Sequence, residues 1–200
     1  MTRPCFYDIF MLPLEYFGLR RLRRRVLRNV SGRILELGAG TAANASFYPP
    51  FPDLEIIAVE PSREKVLCAE PRRKNYPHIV WIQGLGENLP FAEATFDRIV
   101  ATLVLCSVHS LENTLAEFRR VLQPDGTLHI LEHVRPPQPW LGRIFDWLTP
   151  PWKLMSEGCH LNRESGAAIE EAGFTITQRR FYLGGVVQSF EACLSQPSRR

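Results

Sequence analysis

Short apolar runs punctuate the middle of the chain at residues 33–37, 54–59, 79–82, 96–105 and 127–131, several of them rich in Ile and Val and separated by stretches of helix length. Strands that are apolar without alternation are buried on both faces, so the pattern predicts an α/β fold with a mostly parallel sheet and helices on either side. Leu111, Leu115, Phe118, Val121 and Leu122 recur on one side of a helix predicted over 111–122. That helix is expected to stop at Pro124-Asp125-Gly126, a turn by its own chemistry. Further on, the pattern predicts a helix over 164–172 and strands over 175–181 and 187–194.

Two stretches depart from this rhythm. Residues 6–27 are first apolar and aromatic, then alternate arginine with Leu22, Val26 and Leu27, with Pro13 expected to separate two amphipathic helices. Residues 136–159 are rich in Pro and Trp and fit neither period, so they are expected to form an insertion against the core. Trp140, Trp147 and Trp152 are expected there as core residues. The resulting organisation is a helical cap over 1–30, one α/β domain over 31–195 with an insertion over 136–162, and a polar tail over 196–200.

Composition adds little to this picture. Two hundred residues, 45% hydrophobic and 22% charged, suit one globular domain and decide no chemistry. The net charge of +3 is small, but Arg20, Arg21, Arg23, Arg24, Arg25 and Arg28 crowd one stretch. Such a run is expected to be a solvated helix face, with peripheral contact to an anionic membrane as the alternative. The basic patch is too short, and recognition modules too absent, to predict nucleic-acid binding. Cys5, Cys68, Cys106, Cys159 and Cys193 lie far apart with no CxxC, which suggests reduced thiols in a cytoplasmic protein. No apolar run approaches the roughly 18 to 20 residues of a membrane-spanning helix, and the cysteine and histidine spacing fits no metal site.

The segment that carries chemistry is Ile34-Leu35-Glu36-Leu37-Gly38-Ala39-Gly40-Thr41-Ala42-Ala43-Asn44. An apolar strand runs into small residues, beyond which a helix can start; this is the crevice where open α/β sheets bind ligands. A second strand ends about twenty residues later at Glu60, a carboxylate placed to pair with ribose hydroxyls. The combination predicts a nucleoside cofactor. Glu36, inside the glycine motif, suits a ligand carrying an ammonium and a sulfonium and suits a pyrophosphate badly, which argues against an NAD-dependent dehydrogenase. Ala43 at the third glycine position of a dinucleotide fingerprint excludes nothing, and the lack of GK[ST] excludes a P-loop.

These residues resemble motif I of class I S-adenosylmethionine-dependent methyltransferases. So do Ala58-Val59-Glu60-Pro61, the segment from Gly86 to Phe91, Phe96-Asp97, and the segment from Arg119 to Gly126. A narrower likeness, over most of 34–165, is to the methyltransferase-like 7 family of thiol methyltransferases and its bacterial relatives. It rests on Asn44 with Tyr48-Pro49-Pro50, on residues 101–108, on Leu131-Glu132-His133-Val134, and on residues 146–152 with 158–165.

The resemblance implies a Rossmann-like seven-stranded sheet of order 3-2-1-4-5-7-6 with strand seven antiparallel. It implies that Glu36, Gly38 and Gly40 line the methionine moiety of S-adenosylmethionine, that Glu60 holds the ribose, that Gly86 and Glu87 flank the adenine, and that Thr102 and Leu103 pass the sulfonium; Ala39, Asn44 and Pro61 are further candidates for binding the cofactor. Cys106, Trp152, Cys159, His160 and Asn162 are candidates for the acceptor pocket. Tyr7, which with Asp8 resembles a pair near the start of many such enzymes, together with His133 and His109 past the strand ends, are candidates for contact with the reacting groups. Ala42 and Leu85 depart from the superfamily pattern, which usually has glycine and an adenine-binding aspartate there.

The activity implied is methyl transfer to a small, rather apolar acceptor. A thiol near its own pKa needs little help from a base, and no acid–base pair stands out in the sequence, which favours a soft nucleophile. The alternatives are a lipid-headgroup or quinone methyltransferase at the membrane surface, and a non-catalytic module that binds S-adenosylmethionine.

Overall fold

The computed structural model describes residues 12–13, 15–50, 53–156 and 158–195. The expectations for Tyr7, for Asp8 and for the tail 196–200 lie outside the described residues. Seven strands form one sheet: β1 (Arg33–Leu37), β2 (Glu55–Val59), β3 (Ile79–Ile82), β4 (Phe96–Thr102), β5 (Leu122–His133), β6 (Phe174–Tyr182) and β7 (Val187–Leu194). Their order is β3-β2-β1-β4-β5-β7-β6, with β7 antiparallel to both neighbours and every other pair parallel. This is the Rossmann-like topology that the sequence implied.

Alternate side chains of each strand point to opposite faces, and the core divides accordingly. Leu35, Leu37, Ile57, Val59, Ile99, Ala101, Leu128 and Ile130 meet Leu115, Phe118 and Val121 of α3 (Leu111–Val121) and Ile169 of α5 (Ser165–Glu171). On the other face Ile34, Ile56, Ala58 and Val100 meet Leu27 of α1 (Arg20–Leu27) and Ala69 of α2 (Arg63–Arg73). Ser110 caps α3, its Oγ accepting from the Asn113 N–H at 3.1 Å, and Ser62 caps α2 in the same way.

Four expectations need correction. No α-helix follows the glycine motif: turns lead only to a 3₁₀ helix, Ala45–Phe47, because Pro49 forces Tyr48 into extended backbone and stops the coil. Pro124-Asp125-Gly126 does not separate helix from strand but lies within β5. There the pairing with β4 jumps from Phe96↔Leu122 to Arg98↔Thr127, so the turn chemistry makes a bulge. β4 ends at Thr102, since Leu103 adopts φ 55°, outside strand geometry.

The fourth concerns residues 136–159, which hold a long helix, α4 (Pro139–Met155), with a proline at its start and Pro150 and Pro151 near its end. Arg143, Asp146 and Lys153 mark a polar side, but Pro150 and Pro151 inside the helix read as breakers and hide its period. Phe145 stacks on His133 at 5.6 Å between ring centroids, and Thr149 is buried, while Trp140 and Trp147 are exposed and not in the core.

Candidate active site

A cavity of ≈ 270 Å³ opens at the C-terminal ends of β1, β2 and β4. Gly38, Ala39, Gly40, Asn44, Glu60, Pro61, Gly86, Glu87, Thr102, Leu103 and His109 all line it, as do Arg23, Leu85, Val104, Ser107, Val108 and Ser156. Parallel strands open such a crevice where neighbouring connections leave in opposite directions, here between β1 and β4.

The glycines are dictated by space. A Cβ on Gly38, at φ 67°, would stand 2.3 Å from Val104 Cγ2, and one on Gly86 would stand 2.8 Å from Leu37. Real Cβ atoms do not approach this closely, so the loop accepts only glycine at Gly38. Ala42 takes a left-handed conformation at φ 66°, the geometry glycine would adopt without strain.

Glu60 is buried and ties the crevice together. One carboxylate oxygen accepts from the Gly40 N–H at 2.9 Å and the other from the Ser62 N–H at 3.0 Å. Glu87 accepts from the backbone N–H groups of His109 and Ser110, at 2.8 and 3.1 Å, and so joins the two rims of the cavity.

Glu36 differs from its expected place. It is buried one layer behind the wall, on the sheet face of Ile34. One oxygen accepts from Asn44 Nδ2 at 2.9 Å and the other from the Tyr48 hydroxyl at 2.8 Å. Burial raises its pKa, while Tyr48, Asn44 and the Arg23 charge pull it back down. Asn44 is what reaches the cavity, and Glu36 fixes its amide.

Arg23 is the residue that sequence reasoning missed. It is buried, not solvated, and its Nη1 donates to Asn44 Oδ1 at 2.9 Å and to Thr102 Oγ1 at 2.6 Å, while Nε pairs with Glu15 at 2.9 Å. A signal was present: Arg23 stands three and four residues before Val26 and Leu27, on the inward side of α1.

The acceptor-side candidates assemble behind the loop that follows β4. The His160 N–H donates to the Cys106 carbonyl at 2.8 Å, and Arg163 donates to the carbonyls of Leu105 and Val108, the latter at 2.6 Å. Cys159 lies against Cys106, Trp152 and Ser107; the thiol pair pushes the Cys106 pKa up and the Cys159 pKa down. Asn162 stands beside Asp146 and, after Arg135, helps to lower its pKa. These side chains back the wall and do not line it, in contrast to Ser107 and Val108. His133 also stands away from the lining, stacked on Phe145, with burial pulling its pKa to about 4. Among the described residues, no group of three or more His, Cys, Asp or Glu side chains is placed to hold a metal ion.

Sequence reasoning also passed over Glu132, at the end of β5. This wholly buried carboxylate accepts from three successive backbone N–H groups, of Val104 at 2.8 Å, Leu105 at 2.7 Å and Cys106 at 3.3 Å. Burial outweighs these hydrogen bonds and raises its pKa to about 7.

A seven-stranded sheet of this order with a glycine-lined crevice and a strand-end acid defines a Rossmann-like methyltransferase domain. The family described as Methyltransferase domain matches residues 35–130. An uncharacterized methyltransferase of Synechocystis is 30% identical over 193 residues, covering 90% of this chain and 85% of that protein. The chain belongs to the S-adenosylmethionine-dependent methyltransferases. It is 42% identical over 150 residues to the thiol S-methyltransferase TMT1B of Rattus norvegicus, covering 72% of this chain and 61% of that protein's length. The crystal structure of an S-adenosylmethionine-dependent methyltransferase, possible histamine N-methyltransferase, from Thermotoga maritima shares the fold with a TM-score of 0.68 at 20% identity, over 94% of this chain and 93% of that one.

Proposed function

We propose that the chain transfers the methyl group of S-adenosylmethionine to the sulfur of a small, rather apolar thiol. The observation that carries this is the treatment of the loop after β4. Its N–H groups at 104, 105 and 106 go to Glu132, its carbonyls at 105 and 108 to Arg163 and at 106 to His160, and the Val104 carbonyl accepts from Ser107 and Val108. With these backbone groups paired behind or within the loop, the residues it brings to the cavity are Leu103, Val104, Ser107 and Val108, three of them apolar. Such a wall favours an acceptor with little to hydrogen-bond. The identity with a thiol S-methyltransferase points the same way.

The cavity fits the donor. Bound S-adenosylmethionine supplies an electrophilic methyl group on a sulfonium. Glu60 would hold the ribose, with its carboxylate already oriented by Gly40 and Ser62. The glycine loop leaves room beside Asn44 and Thr102 for the methionine end, where Arg23 is suited to its carboxylate and the buried Glu36 adds negative potential. Gly86 and Glu87 border the adenine end, and Leu85 offers it apolar contact. The protein aligns the two sulfurs and excludes water, while the thiol proton leaves to solvent.

The test is incubation of the purified chain with S-adenosylmethionine and a panel of alkyl and aryl thiols, a catechol, a quinol and an amine, scored as methylated product and S-adenosylhomocysteine. Thioether formation from apolar thiols is expected. Turnover only on the catechol, quinol or amine would overturn the thiol reading, and cofactor binding with no turnover on any acceptor would favour a non-catalytic module.

A further inference from the structure

Helix α4 packs one side inward, and among the described residues an apolar stripe on another side stays uncovered. Phe145 and Thr149 point inward, toward His133 and the end of β5. Trp140, Ile144, Trp147 and Leu148 recur at the spacing of a single stripe and stay 65, 44, 77 and 36% exposed. A patch with two tryptophans on a free surface marks an interaction site, since each such ring carries on the order of 150–250 Å².

The charge around the stripe selects its occupant. Arg143 and Lys153 are exposed on the same helix, whereas Asp146 is neutralised by a two-point pairing with Arg135 at 3.0 and 3.1 Å. The start of α4 connects to the basic helix α1 through β6: Gln138 Nε2 donates to the Gly184 carbonyl at 3.1 Å, and Tyr182, two residues earlier, packs in one cluster with Leu22 and Val26. Arg20, Arg21, Arg24, Arg25 and Arg28 of that region are exposed. Indole rings on a helix flanked by arginines suit the boundary between anionic headgroups and acyl chains. A second copy docked on the same face would bring like charges together.

We propose that the Trp140–Ile144–Trp147–Leu148 face of α4 seats shallowly in an anionic lipid surface, steadied by the exposed arginines of α1. Arg23 of α1 and Ser156, one residue past α4, both line the cavity, so each of the two helices that carry the surface also reaches the cavity. A lipophilic acceptor then enters from the lipid phase; only this clause rests on the function proposed above.

The test is co-sedimentation of the purified chain with vesicles of phosphatidylcholine alone or with about one-third phosphatidylserine. Three proteins are compared: wild type, Trp140→Ala/Trp147→Ala and Arg21→Gln/Arg28→Gln. Wild type should bind the anionic vesicles at least tenfold more tightly than the neutral ones, and binding should fall with salt. The tryptophan pair should weaken anionic-vesicle binding at least tenfold, and the arginine pair severalfold. S-adenosylhomocysteine affinity and thermal midpoint should stay at the wild-type values in both variants. Absence of vesicle binding, binding unchanged in the tryptophan variant, or concentration-dependent self-association that this variant abolishes would each overturn the proposal. Vesicle binding is read without any acceptor, so its failure is distinct from failure of the thiol assay.

Discussion

Glu132 offers a quantitative test of how the site is held. Its carboxylate is buried and accepts three backbone N–H groups from the loop whose preceding residue, Leu103, sits at φ 55°. Glu132→Ala strips partners from three buried donors. Each such loss costs about 1–3 kcal/mol, and water entering the space offsets part of it, so a net destabilisation of about 3–5 kcal/mol is expected. Glu132→Gln is the sharper variant, because it keeps the shape and removes the titration. A pKa raised from 4.5 to about 7 in the folded chain means the folded state holds the proton more tightly. Stability from this group is therefore full below the unfolded value and is lost as pH rises toward 7. The loss amounts to roughly 3 kcal/mol between pH 4.5 and pH 7, and nothing further above. Arg163 and the Cys159 and Cys106 thiols face the same carboxylate, and Cys159, at about 7, titrates beside it, so both proteins are compared in a Cys159→Ser background. Urea unfolding with Glu132 and with Glu132→Gln at pH 5, 6, 7 and 8 isolates the effect: the protein with Glu132 should lose about 2.5 kcal/mol relative to the variant over that span. A difference that stays flat with pH would refute the raised pKa, and with it the view that desolvation outweighs the three hydrogen bonds.

Other outcomes follow from the cavity. Glu60→Ala removes a carboxylate oriented by Gly40 and Ser62 and should weaken S-adenosylhomocysteine binding about a hundredfold by calorimetry. Gly38→Ala should abolish cofactor binding in the same assay, because its Cβ would overlap Val104. Arg23→Met breaks a buried pairing with Asn44, Thr102 and Glu15 and should cost about 3 kcal/mol in denaturant unfolding, together with cofactor affinity. Ala42→Gly relieves a left-handed alanine and should raise stability by about 0.5–1 kcal/mol in the same unfolding assay, leaving activity intact.

The sheet was legible because burial on both faces leaves an unmistakable trace: β1, β3 and β7 fall on their expected residues. The glycine motif and Glu60 were legible because sterics and charge each allow few residue types. Helix α4 was hidden because Pro150 and Pro151 inside it read as breakers, and because only Arg143, Asp146 and Lys153 mark its polar side. Arg23 and Glu132 escaped for a related reason. A charged residue reads as exposed until the partners that neutralise it are known, and those partners are Asn44 and Thr102 in one case and three distant backbone amides in the other.

These two buried charges also bear on how the proposed donor and acceptor regions stay separate yet coupled through one strand. Thr102, the last residue of β4, accepts from Arg23 and Asn44 and so belongs to the donor network. One residue later the Leu103 N–H donates to the Leu131 carbonyl at 2.7 Å, and the next three amides turn toward Glu132. The left-handed turn at Leu103 is the hinge between the two, and it moves the backbone from sheet pairing to a carboxylate clamp within a single residue. Displacing that clamp shifts Val104, whose methyl groups pack directly above Gly38. A defect at Glu132 should consequently register at the glycine loop as a loss of cofactor affinity, even though the carboxylate itself does not line the cavity. Glu132→Gln with unaltered S-adenosylhomocysteine affinity and an altered acceptor KM would show instead that the two regions move independently.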